Sequence, residues 1–275
     1  MTFTPAIPLG GVAGLRFLER TGDAQRAAHA NSPEIQRDIA YFAENIGNVK
    51  TAEDLVSDRR LLKVTLGAFG LGDEIDKRAF IREILQDGVE TPGTLGSRLN
   101  NQNYIDMAKT LRFDRESGPR IVFSAVQEEI TSKYLSQSFE IAVGEQDSSL
   151  RLALDFKRRI GDVSERGWYA LLGDQPMRAV LQTALGIPTE AAAIDIDKQV
   201  ELFESRALSV LGTRDASELS QSANIDKLVS RYLIIDQSLS GPTAATRGAT
   251  AVTLLANAAS GFGSFSSQSL FQSGF

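Results

Sequence analysis

Residues 55–71 read LVSDRRLLKVTLGAFGL, and residues 171–187 read LLGDQPMRAVLQTALGI. Each stretch begins with a short apolar turn, continues through an aspartate in a helix-capping position and an amphipathic helix, and ends at a glycine. The two capping residues are Asp58 and Asp174. Because caps, apolar faces and terminators agree in order, we predict an internal helical repeat. The alternative is that the likeness arises by chance, since many capped amphipathic helices share this order of signals.

The likeness continues beyond these two stretches. Asp76-Lys77 corresponds to Asp197-Lys198, and Asn103-Tyr104 with Met107-Ala108 corresponds to Asn224-Ile225 with Leu228-Val229. Between the repeats, residues 126–160 contain no proline and carry apolar residues at helical spacing, which predicts two long helices or one kinked helix. Residues 121–123 form the one short segment that resembles a strand.

These patterns predict an all-α fold of two related three-helix lobes joined by long central helices, with extended apolar termini. The predicted boundaries are 1–50 for an N-terminal arm and helices, 51–119 for the first lobe, 120–163 for the central helices, 164–235 for the second lobe, which repeats the first, and 236–275 for a tail.

Composition excludes several classes of site. The chain has 275 residues, no cysteine, one histidine (His29) and a formal net charge of −6. Disulfides, thiolate catalysis and Cys-ligated metals are therefore excluded, and a His-based triad is disfavoured. The position of His29 near a helix end is typical of a surface or capping residue. We predict no catalytic, cofactor-binding or metal site, and the acidic balance argues against a nucleic-acid partner.

Three further groups of residues have a structural and a functional interpretation. Residues 10–14 are glycine-rich, but no strand precedes them and no Gly-Lys-Ser/Thr follows, so a flexible leader is expected rather than a phosphate loop. The basic triplet at 157–159 either binds an acid or phosphate or solvates a helix end. Trp168 and Tyr169 are expected to anchor the core of the second lobe.

The N-terminal sequence lacks the basic and apolar regions of a secretory signal, and the apolar stretch 249–259 is shorter than the roughly 20 residues of a membrane helix. We therefore expect a soluble protein with no transmembrane segment. It is either cytoplasmic or exported without a cleaved signal peptide through a flagellar-type route.

Both ends of the chain are apolar and poor in charge. Residues 3–9 (FTPAIPL) form an apolar arm, and residues 248–275 carry no charge. The tail is rich in serine and glycine, but burying each of its phenylalanines would gain roughly 1.5–3 kcal/mol. It docks either on its own domain or on a partner protein. The predicted partner-binding residues are Phe262, Phe265, Leu270, Phe271 and Phe275.

Several motifs together resemble a known family. They are FTPAIPLGG at 3–11 running into GLRFL at 14–18, IAYF at 39–42 with Ile46, DRRLL at 58–62, and DKRAFI at 76–81. The sequence resembles the alphaproteobacterial domain-of-unknown-function family 1217 over most of its length. The resemblance implies a helical protein whose relatives are often encoded in flagellar gene clusters, and it implies no catalytic residue.

Two functions follow as hypotheses. The first is a non-enzymatic helical protein that acts through protein–protein contacts, as a flagellar or motility-associated structural or assembly factor, with flagellar components or a second copy of the chain as partners. The alternative is a small-ligand-binding protein or an unrecognised enzyme with a carboxylate- and arginine-lined pocket between the lobes.

Overall fold

The computed structural model describes residues 3–99, 101–115 and 117–240. These residues contain thirteen α-helices and no strand, which confirms the all-α prediction. The helices are α1 Gly11–Ala30, α2 Pro33–Asn45, α3 Ala52–Ser57, α4 Arg59–Ala68, α5 Arg78–Asp87, α6 Leu95–Arg98, α7 Gln102–Leu111, α8 Ser124–Gly144, α9 Ser148–Ser164, α10 Trp168–Gly173, α11 Gln175–Ala184, α12 Ile196–Leu211 and α13 Ser222–Ser240.

Short 3-10 turns connect several of these helices. They lie at Ile46–Asn48, Gly72–Glu74, Arg120–Val122, Thr189–Ala193 and Ser217–Ser220. The segment that resembled a strand is thus part of the turn before α8. The proline-free region forms two separate helices, because α8 ends at Gly144 and α9 begins at Ser148.

The two stretches that suggested a repeat have the same local structure. α3 and α10 are each 6 residues long, and α4 and α11 are each 10. The Asp58 carboxylate accepts hydrogen bonds from the backbone N–H groups of Arg60 and Leu61, and the Asp174 carboxylate accepts one from Met177. Each aspartate therefore caps the helix that follows it.

The two helices also end in the same way. The N–H of Leu71 donates to the carbonyl of Leu66 at 2.8 Å, and the N–H of Ile187 donates to that of Gln182 at 2.9 Å. The glycine before each donor is left-handed, with φ of 70° and 66°. This is the Schellman arrangement, in which glycine adopts a backbone conformation that other residues rarely reach.

Buried apolar residues form two clusters. The first core is built by α2 to α7 and the first half of α8, and the second core by α1, the second half of α8, and α9 to α13. α8 belongs to both, because Val126, Ile130 and Tyr134 are buried in the first core and Phe139 and Val143 in the second. A single central helix thus joins the two halves of the protein. The predicted domain boundaries themselves stay a prediction.

Helix packing shows a further correspondence between the two halves, which differs from the one that the sequence suggested. α4 packs chiefly on α8, and α11 packs chiefly on α13. Residues 124–135 (SAVQEEITSKYL) and 222–233 (SANIDKLVSRYL) share Ser, Ala, Ser, Tyr and Leu at the same places. α13 therefore corresponds in packing to α8, and not to α7 as the match between Asn103 and Asn224 suggested.

The two halves differ by an inserted segment. In the first half, α6 and α7 lie between α5 and the turn at Arg120–Val122, and both pack on α5. In the second half, the chain passes from the end of α12 to the turn at Ser217–Ser220 without a helix. Within the described part of the chain, nothing equivalent to α6 and α7 therefore covers α12.

The N-terminal helix packs far from its sequence neighbours. α1 contacts α8, α9 and α13, and the preceding residues Phe3 and Ile7 pack against the second core. The helix begins at Gly11, so the expectation that 10–14 form a flexible leader is wrong for most of that segment. Within the described residues, no helix is both long enough and apolar enough to cross a bilayer.

We predict that alanine at position 67 destabilises the protein, although alanine normally favours a helix over glycine. A Cβ on Gly67 would lie 2.8 Å from Cδ2 of Tyr134, where α4 and α8 pack. The ring of Tyr134 is buried, and its hydroxyl donates to Asp38 at 2.9 Å, so it has little room to withdraw. Gly67→Ala should lower the free energy of unfolding by about 1–3 kcal/mol, measured by urea denaturation.

The matched control is Gly161→Ala in α9, where an added Cβ meets no heavy atom within 4 Å. This change should raise the free energy of unfolding by up to about 1 kcal/mol, because of helix propensity alone. A stabilising Gly67→Ala change would contradict the close packing of α4 on α8.

Candidate interaction surface

The basic triplet at 157–159 forms ion pairs within the protein. The Lys157 ammonium lies 2.6 Å from a carboxylate oxygen of Glu19 on α1 and 3.2 Å from one of Asp226 on α13. These pairs tie α9 to the first helix and the last helix of the described chain. Because all three side chains are at least 30% exposed, we expect the pairs to orient the helices more than to stabilise them.

The other two members of the triplet pair with carboxylates that are largely buried. Arg158 binds the Glu140 carboxylate through two hydrogen bonds, of 2.7 and 3.0 Å, and Asp155 through a third of 2.6 Å. Arg159 pairs with Asp155 and with Asp174, the residue that caps α11. All three basic side chains therefore pair with carboxylates of the chain itself.

The single histidine is not at the surface. His29 is 6% exposed, and its Nε2 lies 2.8 Å from the hydroxyl of Ser138 on α8. The rings of Phe3 and Phe139 both meet its ring edge to face, with centroids 5.3 and 5.8 Å away. The prediction of a surface or capping residue is wrong, because the N-terminal arm and α8 cover this side of α1.

The aromatic pair that opens α10 is divided between core and surface. Trp168 is buried against Phe203 of α12, and its indole N–H donates to the carbonyl of Arg214 at 2.8 Å, as expected of a core anchor. Tyr169 is instead 58% exposed, and its hydroxyl donates to Asp197 at 2.6 Å. This hydrogen bond raises the pKa of Tyr169 and holds its ring beside the first turn of α12.

The residues around Tyr169 form an exposed surface that we name the α12 face. Asp197, Glu201, Glu204 and Leu208 follow one another at spacings of four, three and four residues, which places them on one side of α12. Ile194 and Ile196 flank the start of the helix and are 41% and 43% exposed, and Leu208 is 43% exposed. The α12 face consists of Tyr169, Ile194, Ile196, Asp197, Glu201, Glu204 and Leu208.

A buried amide fixes the beginning of this face. The side-chain N–H of Gln199 donates to the carbonyl of Ile194 at 2.6 Å, and its oxygen accepts a hydrogen bond from Arg178 at 2.6 Å. The Asp195 carboxylate accepts from the N–H of Asp197 at 2.9 Å and caps α12. Since its carbonyl is held by Gln199 and the next residue caps α12, Ile194 is presented to solvent in a defined position.

Two small cavities lie in the described part of the structure. One of about 70 Å³ lies between the halves and is lined by Gln102 of α7 and by Arg166, Tyr169 and Asp174 of the second half. A shallow depression of about 240 Å³ lies between α3 and α5, beside Arg82. Pockets for small ligands usually measure about 300–1,000 Å³, so neither volume favours a ligand-binding protein or an enzyme.

The predicted site residues of the tail lie beyond residue 240. The predicted partner-binding residues Phe262, Phe265, Leu270, Phe271 and Phe275 lie outside the described residues. Across residues 3–99, 101–115 and 117–240, no group of three or more His, Asp or Glu side chains is placed to hold a metal ion.

The α12 face was missed by the sequence predictions, although one signal points to it. Val200, Phe203 and Ala207 form the buried stripe of α12. Leu208 lies one position beyond that stripe and on the side of the acidic residues, where a polar side chain would be expected. This apolar residue, out of phase with the buried stripe, is the one signal of the α12 face in the sequence of the helix.

Comparisons with known proteins give a family and a similar structure, and neither carries an activity. The model of a family described as Protein of unknown function (DUF1217) matches residues 68–227. The X-ray crystal structure of a protein from Agrobacterium tumefaciens, a structural genomics target, is similar with a TM-score of 0.70 and 26% sequence identity. That match covers 84% of this chain and 94% of the other. No curated protein is significantly similar to the chain.

We predict that Arg158→Met lowers the free energy of unfolding by about 3 kcal/mol, because it leaves the buried Glu140 carboxylate without its two-point partner. Guanidinium chloride denaturation measures the change. Arg82→Met is the matched control, since Arg82 pairs with Glu53 where both side chains are about half exposed. It should leave the midpoint nearly unchanged.

A second variant separates charge burial from loss of packing. Adding Glu140→Leu to Arg158→Met removes the unpaired carboxylate and should recover part of the lost stability. Equal losses in the single and double variants would show that the carboxylate does not depend on Arg158.

Proposed function

This chain belongs to the family described as Protein of unknown function (DUF1217), and on that premise we propose that it is a non-enzymatic helical protein that acts by binding another protein through the α12 face. The proposal rests on the surface of one helix and on its counterpart in the other half of the molecule.

The observation that carries the proposal is the difference between α5 and α12. Both helices follow a 3-10 turn after the helix pair that carries the repeat, and both pack on the first helix of that pair. α5 is covered by α7, whose Tyr104 meets Phe80 of α5 edge to face at 5.4 Å. α12 has no such cover within the described residues, and its apolar side chains Ile196 and Leu208 face solvent.

The α12 face also favours a particular kind of partner. In the first half a helix covers the equivalent position, which makes a helix of the partner the natural occupant. Asp197, Glu201 and Glu204 line the face, so the partner helix should carry lysine or arginine beside its apolar stripe. Tyr169 supplies the aromatic contact that is enriched in protein interfaces.

The cellular setting that we propose is the flagellum. It comes from the family resemblance, which implies relatives encoded in flagellar gene clusters. We therefore propose a flagellar or motility-associated structural or assembly role. The tail residues Phe262 to Phe275 remain a second proposed contact, which co-purification with and without residues 260–275 tests.

We predict that charge on the α12 face abolishes partner binding without unfolding the protein. In a strain that lacks the gene, the wild-type chain should restore swimming, and the double variant Ile196→Asp/Leu208→Asp should not. Both positions are exposed, so circular dichroism and the unfolding midpoint should stay close to wild type.

Phe123→Asp is the matched control, because it places the same charge on another exposed apolar residue. Aspartate is well tolerated at the N-cap position that Phe123 occupies before α8. Phe123→Asp should restore swimming. Equal loss with both variants would argue against a specific role of the α12 face, and normal swimming in the deletion strain would remove the flagellar setting.

A photo-crosslinking amino acid at position 208 tests the contact independently of motility. The expected product in cells is an adduct with one other protein, lost when Ile196→Asp is added. A crosslink to residues 241–275 of the same chain would instead assign the face to the chain's own C-terminal segment and contradict the proposal.

A further inference from the structure

The N-terminal arm, residues 3–10, lies along the second core as an extended segment. The side chain of Gln25 on α1 accepts a hydrogen bond from the N–H of Ala6 at 2.8 Å and donates to its carbonyl at 3.2 Å. Gln146, after α8, donates to the carbonyl of Pro5 at 2.5 Å. Two neutral amides therefore hold the backbone of the arm, and no ion pair among the described residues contributes.

The end of the arm closes a cage around His29. Phe3 packs on one side of the imidazole, and Phe139 of α8 packs on another. Phe3 and Phe139 also face each other, with ring centroids 6.4 Å apart. Since α1 and α8 are anchored in the core, Phe3 is the wall of the cage that a local movement of the arm can remove.

The His29 ring has a hydrogen-bond partner at only one of its two nitrogens. Ser138 donates its hydroxyl proton to the carbonyl of Leu135 at 3.2 Å. With the Ser138 proton placed there, Nε2 of His29 donates to the Ser138 oxygen at 2.8 Å, and this tautomer leaves Nδ1 as a bare acceptor. Nδ1 is buried and has no hydrogen-bond partner in the described structure. The cage thus fits a neutral imidazole.

If the ring bound a second proton, the new N–H group would have no hydrogen-bond acceptor inside the cage. The proton would bind at Nδ1 and place an N–H and a positive charge among aromatic side chains, which is costly without a partner. Burial lowers the pKa of His29, and the negative charge of Glu34 on α2 opposes that shift. Arg26 lies over the Phe139 ring, and Glu140, which follows Phe139 on α8, is bound to Arg158.

We propose that the N-terminal arm is a pH-sensitive strap, docked on the second core while His29 is neutral and released when both nitrogens of its ring carry a proton. Release removes Phe3 from the cage and lets water reach Nδ1. Gly10 and Gly11 join the arm to α1 and allow it to move, and Gly11 already has φ of 62°.

The direction of the pH dependence follows from the direction of the shift. With the arm docked, the pKa of His29 lies below its ordinary value of 6.5. With the arm released, it returns toward that value, so the released state binds the proton more tightly. Docking is therefore strongest above pH 6.5 and weakens as the pH falls through and below that value.

The lack of cysteine allows a single reporter in the full chain. Thr4 is exposed, so Thr4→Cys carrying a nitroxide label reports the mobility of the arm by electron paramagnetic resonance. The label should be immobilised at pH 8 and mobile at pH 5, with unchanged circular dichroism. In Thr4→Cys/His29→Gln the mobility should not change with pH. A pH-independent spectrum in the first protein, or the same transition in both, would overturn the proposal.

The single histidine provides a second measurement. The ring resonance of His29 needs no assignment, and its NMR titration gives the pKa in the folded protein. Phe3→Ala in the full-length chain should raise the pKa of His29 toward 6.5, because it opens the cage to water. An unchanged pKa would show that the arm does not control the protonation of His29.

Discussion

The structure depends on the shared burial of α8. This one helix presents Tyr134 to the first core and Phe139 to the second, so a displacement along its axis would disturb both. Its close approach to α4 requires a glycine at position 67, and its far end is tied to α9 by Arg158 and Glu140. The two halves are therefore coupled by a continuous rigid element rather than by a linker.

The two halves are alike in the helix pairs that carry the repeat, and they differ in the segments that follow the next helix. The capped pair α3–α4 and its counterpart α10–α11 have the same lengths, caps and terminators, because each must turn sharply and then lie against a long helix. The segments after α5 and α12 do not have to turn and pack on a long helix in this way. One half uses this segment for α6 and α7, and in the other half no described residue covers α12 in the same way, so the α12 face that we propose as a binding surface lies in the part of the repeat that packing does not fix.

Local features of the fold could be predicted from sequence, and contacts between distant residues could not. Asp58, Asp174 and Asp195 are caps because a side-chain oxygen satisfies nearby backbone N–H groups, which is a property of adjacent residues. The burial of His29 depends on Phe3, which precedes it by a whole helix, and on α8. The match of α13 with α8 is visible in the shared Ser, Ala, Ser, Tyr and Leu. The match between Asn103 and Asn224 pointed instead to α7. Tyr169 is exposed, unlike its neighbour Trp168, because α12 packs its Phe203 on Trp168 and meets Tyr169 through Asp197.

The position of α1 has a consequence for how the chain folds during its synthesis. The first core is made of a continuous stretch, so it can form as soon as α8 has left the ribosome. α1 leaves the ribosome before any of it, yet its partners are α8, α9 and α13, and the pair between Glu19 and Lys157 spans 138 residues. Closing so long a loop has an entropic cost that grows slowly with length, but it delays the contact. The apolar stripe of α1, with Leu15 and Leu18, therefore stays without these partners until α8, α9 and α13 have been made.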